Sequence, residues 1–246
     1  HPLIDVHLET IIKETHGIIG KFSSRLINSR GKETEVNHGV TIIANGAESY
    51  KTREYLYGED RNILLSLDLD QEIMQNPQRL QETNAAVFIQ CVGSREPDRP
   101  YCSKVCCTHS IHSAITLKKL NPGMDIFIIY RDIRTYGERE DVYREARSRG
   151  IHFIRYEIEN KPVVEKINGR LRVTVLDQTL KRNIQINIDM IILASAVIPR
   201  EDNSVFSKHF KVALNQDGFF MEAHAKLSPV DFATAGIFVC GLAHGP

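Results

Sequence analysis

The apolar residues of this chain gather in near-continuous runs of strand length, set between polar segments. Ala85-Ala-Val-Phe-Ile-Gln90, Asp125 to Tyr130, Ile151 to Tyr156 and Met190-Ile-Ile-Leu-Ala-Ser-Ala196 read as strands buried within a sheet. Ser103 to Leu120 carries apolar residues at 105, 111, 114, 115 and 120 and closes on Asn121-Pro-Gly123, which predicts a helix; a second is predicted over roughly Glu138 to Arg149. From Ala85 the order is therefore β-α-β-α-β, half of a nucleotide-binding parallel sheet.

On either side the pattern changes to meanders. Leu3 to Leu8, Gly17 to Ile27 and Val36 to Ile43 predict three short strands, and Val163 to Val175 with Asn183 to Ile188 predict another meander about Asn168-Gly169. Gly39 to Ala47 and Gly236 to Pro246 share one form, a mostly apolar strand running into glycine turns. A short strand is also predicted at His224 to Leu227. The two ends read as halves of one interrupted domain, residues 1–47 and 201–246, with the β-α-β-α-β domain over 85–200 inserted and 48–84 crossing between them. Neither half holds a complete βαβ unit, so the chain is expected to be an internal fragment. Tyr50, Tyr55 and Tyr57 open the crossing segment and are expected to pack against an adjoining domain.

Composition narrows the function. Thirty-one basic and 31 acidic residues give zero net charge, and no basic stripe appears, so nucleic acid is not an expected partner. No run of eighteen apolar residues marks a membrane span and no signal segment is evident, which makes the cytoplasm the default expectation.

Four of the five cysteines fall between Cys91 and Cys107, spaced C-x10-C-x3-C-C over the predicted turn from strand to helix. Buried packing cysteines occur singly, so this density points to sulfur chemistry. Three chemistries compete. Structural zinc prefers two separated C-x2-4-C knuckles, and a redox disulfide needs two thiols and leaves two without a role. A [4Fe-4S] cluster uses all four, so ligand count and softness rank the cluster first, the disulfide second and zinc third. Cys102, Cys106 and Cys107 would lie about the positive end of the helix dipole. The same turn would need G-x-G-x-x-G to hold a dinucleotide and lacks it, so the inserted domain is expected not to bind NAD(P)H. Arg131, after the second strand, is read as a surface or interface arginine, and the lone Cys240 as a packed small thiol.

Cys91-Val-Gly-Ser-Arg, Tyr-Cys102-Ser-Lys-Val-Cys-Cys107, Tyr130-Arg-Asp-Ile-Arg-Thr-Tyr136 and Cys240-Gly-Leu-Ala-His-Gly-Pro246 together resemble the flavin-bearing iron–sulfur component of heterodisulfide reductases and its bacterial relatives. The resemblance implies an α/β, thioredoxin-reductase-like two-domain flavoprotein fold, its Rossmann-like parallel sheet inserted in a partial FAD-binding domain. It implies an oxidoreductase component that relays electrons between FAD, a [4Fe-4S] cluster and partners. Those partners would be other subunits of such a complex, ferredoxin, and hydrogenase or formate dehydrogenase donor subunits, with a homodimer as a further candidate. Position by position it implies cluster ligation by Cys91, Cys102, Cys106 and Cys107. It also implies flavin contacts around Ala44, Gly46 and Ala47 and around Gly241, Leu242 and Ala243, with Tyr50 and His244 as flanking candidates. The chain departs from thioredoxin reductases at Ala44-Asn45-Gly46, where they carry Ala-Thr-Gly, and at Gly241-Leu242, where they carry Gly-Asp and thus a ribityl-binding carboxylate.

Overall fold

A computed structural model describes residues 1–246. The chain divides into two units, one made of residues 1–48 and 198–245, the other of residues 49–197. In chain order the first unit begins with β1 (Thr10–Ile18), β2 (Lys21–Asn28), β3 (Glu33–His38) and β4 (Thr41–Ile43), and β5 (Glu48–Ser49) marks the crossing. The second unit contains β6 (Ile63–Leu65), α1 (Ser66–Gln75), α2 (Pro77–Gln81), β7 (Ala85–Val92), α3 (Cys106–Leu120), β8 (Asp125–Tyr130), α4 (Glu140–Ser148), β9 (His152–Arg155), β10 (Val163–Ile167), β11 (Arg170–Asp177), β12 (Arg182–Ile188) and β13 (Met190–Ser195). The chain leaves it at β14 (Val197–Ile198) and completes the first unit with α5 (Asn203–Phe210) and β15 (Ile237–Val239).

In the second unit the parallel sheet has the order β6-β13-β7-β8-β9. Its middle strands are buried on both faces, which is why β7 and β13 read as unbroken apolar runs. One face, through Val87, Ile89, Ile191 and Leu193, packs on the β10-β11-β12 meander. The other, through Ala86, Phe88, Met190 and Ile192, packs on Ile111, Ala114, Ile115 and Leu117 of α3. Each of these fully covered large side chains contributes about 1.5–3 kcal/mol relative to exposure.

Residues 49–84 belong to this unit and are more than a polar crossing. Ile63–Leu65 pairs in parallel with β13 and forms the sheet's edge, and Leu69 of α1 and Leu80 of α2 are fully buried beneath it. The sequence concealed this because the edge strand is only three residues long and most of the flanking residues are polar. Tyr55 and Tyr57 pack on the meander-side core of the same unit.

The first unit holds the antiparallel β1-β2-β3 meander and the parallel pair β15-β4, over a core of Phe22, Ile43, Phe210, Phe220, Phe232, Ile237 and Val239. Leu3 to Leu8 is not a strand, and its exposed apolar residues have no sheet partner. His224 to Leu227 forms a turn closed by a single bridge to Ser228, in which the His224 ring accepts the N–H groups of Lys226 and Leu227. No helix is long and apolar enough to cross a membrane.

Candidate functional site

β7 delivers the cysteine turn at the carboxyl end of the parallel sheet, where open α/β sheets bind their ligands. Cys91 adopts φ +63° although it lies in a strand, and Arg95 (+59°) and Lys104 (+54°) are also left-handed. Each such residue costs on the order of 1 kcal/mol, and clusters of them mark sites where geometry is imposed by the surroundings. The surroundings here are specific. Arg95 N–H donates to Tyr101 O (3.0 Å), Arg99 Nε to Gly93 O (2.6 Å) and Tyr101 Oη to Val197 O (3.0 Å), while Ser103 Oγ accepts from Val197 N–H (2.9 Å). Lys161 bridges Glu54 at 2.8 Å and Glu96 at 2.7 Å, tying down the loop tip. The Arg99 guanidinium lies 4.0 Å from the centre of the Tyr50 ring, so that tyrosine braces the loop from within the same unit. Gly93 (φ +68°) sits against the ring, and a Cβ there would come within 2.5 Å of Tyr50.

The expected helix from Ser103 starts at Cys106, because the preceding residues are drawn into this loop. Cys106 and Cys107 are therefore the first two residues of α3, at its positive end, and Cys102 stays in the loop. Cys91, Cys106 and Cys107 are buried and Cys102 is half-buried. The two adjacent thiols act on each other, which lowers the pKa of Cys107 and raises that of Cys106, with burial raising Cys106 further. Arg134 adds a backbone N–H and its charge to Cys107, which also lies 3.6 Å from Asp132 O. Burial first, then the charge of Cys107, raises Cys91, and Arg95 opposes both. Cys102 Sγ accepts the Lys104 N–H at 3.4 Å, and its charge is felt at Cys106.

The structure thus gathers the four predicted thiols at one turn, with Cys106 and Cys107 in contact. No group of three or more His, Cys, Asp or Glu side chains has metal-holding geometry as it stands. The donor set nevertheless suits a soft, anionic group: four sulfurs, a helix N-terminus, and guanidiniums from Arg95, Arg131 and Arg134 whose charge reaches the sulfurs. Orphaned polar atoms point the same way. Both amide atoms of Gln90, Arg95 Nη1, Thr108 Oγ1 and Ser110 Oγ are buried without a partner, and all belong to residues 90–110.

The arginines were the part that sequence reading missed. Arg131 is not a bystander, since its Nη1 donates to Arg95 O at 2.9 Å. Asp132 pairs with Arg95 at 2.7 Å and with Arg134 at 3.7 Å. The available signal was the position of Arg131 to Arg134 directly after β8, the strand beside β7, whose end must approach the same turn.

In the first unit the two glycine-ended strands lie side by side. β4 and β15 pair in parallel, Ile43 opposite Val239, and Cys240 N–H donates to Ile43 O at 2.9 Å. Gly46 (φ +74°) and Gly241 (φ +68°) follow the two strands, and a Cβ at either would meet nothing within 4 Å. Ala44 and Gly241 are exposed, Gly46, Ala47 and Leu242 are half-buried, and Ala243 is in the core with its carbonyl accepting from Phe220 N–H (3.1 Å). Asn45 Nδ2 donates to Asn203 Oδ1 at 2.9 Å, leaving its own buried Oδ1 without a partner. These residues fit one portion of a flavin site, two open backbone turns with an orphaned acceptor. The glycine-rich strand-to-helix turn that takes a dinucleotide pyrophosphate is not among them. His244 is held by Glu222 at 2.6 Å. Cys240 is exposed, not packed as its apolar neighbours suggested, because it stands one residue beyond the strand.

No family model matches the chain. It is 35% identical over 227 residues to one of the iron-sulfur A-type subunits of CoB–CoM heterodisulfide reductase in Methanopyrus kandleri, covering 85% of this chain and 34% of that protein. With the corresponding iron-sulfur component of CoB–CoM heterodisulfide reductase in Methanocaldococcus jannaschii the identity is 32% over 238 residues, covering 89% and 36%. The chain is a homologue of these heterodisulfide reductase iron-sulfur components. It spans about a third of their length. Solved structures share the fold of this chain, which is thioredoxin-reductase-like. Thioredoxin reductase of T. acidophilum matches with a TM-score of 0.57 at 13% identity, over 94% of this chain and 64% of that one. An NAD-dependent persulfide reductase from A. fulgidus matches at 0.55 and 17%, over 97% and 39%.

Proposed function

We propose that this chain is the electron-transfer segment of a heterodisulfide-reductase-type oxidoreductase, in which Cys91, Cys102, Cys106 and Cys107 hold a [4Fe-4S] cluster and the turns at residues 44–47 and 241–243 form part of an FAD site. The observation that carries the reading is the cysteine turn itself: four sulfurs, orphaned donors and arginine charge occupy the place where a Rossmann fold holds a dinucleotide pyrophosphate. When bound, the flavin would exchange one- and two-electron steps and the cluster would pass single electrons onward. The chain's own residues orient the sulfurs through the strained Cys91 backbone and bring guanidinium charge to them. Burial of Cys91, Cys106 and Cys107 keeps water from most of the site.

The relatives' names support a set of partners, since they include components of an H(2):CoB-CoM heterodisulfide,ferredoxin reductase and of an H(2)/formate:CoB-CoM heterodisulfide,ferredoxin reductase. In this reading a ferredoxin and hydrogenase or formate dehydrogenase subunits exchange electrons with the chain.

The packing of the free thiols of Cys106 and Cys107 in one buried cluster also favours a second reading, a disulfide oxidoreductase working through adjacent thiols with NAD(P)H as donor. Visible spectra and iron analysis after anaerobic purification separate the two. Broad charge-transfer absorption with matching iron and acid-labile sulfide supports the cluster. An iron-free protein whose thiols cycle on addition of NADH would support the disulfide reading instead.

A further inference from the structure

The cysteine turn contains one cation whose placement loop anchoring does not explain. Arg95 sits two residues after Gly93 in a left-handed conformation, with its backbone already held by Tyr101 O and by Arg131 Nη1. Its guanidinium is folded inward, with only 19% of the side chain exposed. Nη2 is fixed by Asp132 at 2.7 Å, and the charge of the group is felt at the Cys91 thiol. Nη1 is buried and has no partner. A buried guanidinium nitrogen with an unused N–H pair is costly unless that pair faces an acceptor once the site is filled.

We propose that Arg95 is a positioning residue that sets the reduction potential of the four-thiolate site, with Asp132 as its counterweight. The proposal rests on the cluster reading given above. With a cluster bound, one electron from a reduced ferredoxin-type donor would add one negative charge near the sulfurs, oxidising the donor by one electron with no bond made or broken. A cation held at the turn four residues after Cys91 would stabilise that added charge and raise the potential, and a carboxylate bound to the same cation would offset part of the gain. The two residues therefore act with opposite sign. Asp132 also holds Arg134 at 3.7 Å, so it balances two guanidiniums at once.

The test is an EPR-monitored redox titration of the cluster-loaded full polypeptide, with iron and sulfide assayed on every sample. Arg95→Gln is expected to lower the midpoint by about a tenfold change in the reduction equilibrium, about 59 mV for one electron. Asp132→Asn is expected to raise it, and Arg95→Lys to fall between Arg95→Gln and the unaltered protein. A purely structural role would reduce iron content or shift both variants the same way. Full iron with an unmoved midpoint in Arg95→Gln overturns the proposal and leaves the cluster reading standing. If Arg95→Gln does not load, a downward or absent shift in Asp132→Asn overturns it equally. Absence of iron from the unaltered protein would bring down the cluster reading and this proposal with it.

Discussion

The two candidate sites are built in opposite ways. At the cysteine turn all four thiols lie within one segment of 17 residues, the chemistry is in side chains, and the backbone is forced into left-handed conformations to aim them. At the glycine-ended strands the residues come from 44–47 and 241–243, nearly 200 positions apart, and the chemistry is in backbone approach. A side-chain site announces itself by residue type. A backbone site does so only through the fold, because glycine next to an apolar strand is common and its meaning depends on what the neighbouring strand brings beside it.

The sharpest way to break this contrast is to remove one group from each site. Cys106→Ala should abolish bound cluster iron, read by iron and sulfide assay. Gly46→Ala should leave iron untouched and weaken flavin retention in the full polypeptide. Equal iron loss in both variants would show that the two sites are not independent.

Glycine substitutions sharpen it on the scale of stability. Gly93→Ala combines a positive φ with a 2.5 Å approach to the Tyr50 ring, a loss of about 2–4 kcal/mol in urea unfolding. Gly241→Ala has a positive φ and open space, so about 1 kcal/mol is expected. Combining Gly93→Ala with Tyr50→Ala should recover the steric part of the first loss, a coupling that a double-mutant cycle measures.

A smaller effect tests the flank of the flavin turns. The His244 hydrogen bond holds the Glu222 carboxyl below its ordinary value. A lowered carboxylate pKa contributes stability that is fully present above the unfolded value, about 4.3, and is lost as pH falls through the folded value. Glu222→Gln should flatten that acid-side slope, by under about 1 kcal/mol for so accessible a pair. The smallest expected signal is none: titration of the second unit's turn with NADH or NADPH should give no heat, and micromolar affinity would return that turn to nucleotide binding.

Much of this was legible from pattern. The β-α-β-α-β order, the Asn168-Gly169 meander and the buried run at Met190–Ser195 follow from apolar spacing, since double-sided burial leaves an unmistakable trace. Short or exposed elements left none. Ile63–Leu65 is a sheet edge only because β13 lies beside it, and Leu3 to Leu8 alternates like a strand yet finds no partner. The thiols were readable from spacing, but their electrostatic surroundings were not. Arg95, Asp132 and Arg134 acquire their role when β7 and β8 end side by side, a juxtaposition made by sheet register.

The most direct measurement of the central claim is iron and acid-labile sulfide content, with visible absorption, on protein purified without oxygen. The account predicts about four irons and about four sulfides per chain, with broad absorption that bleaches on reduction. Stoichiometric zinc, or a colourless protein with four free thiols at the cysteine turn, would contradict it.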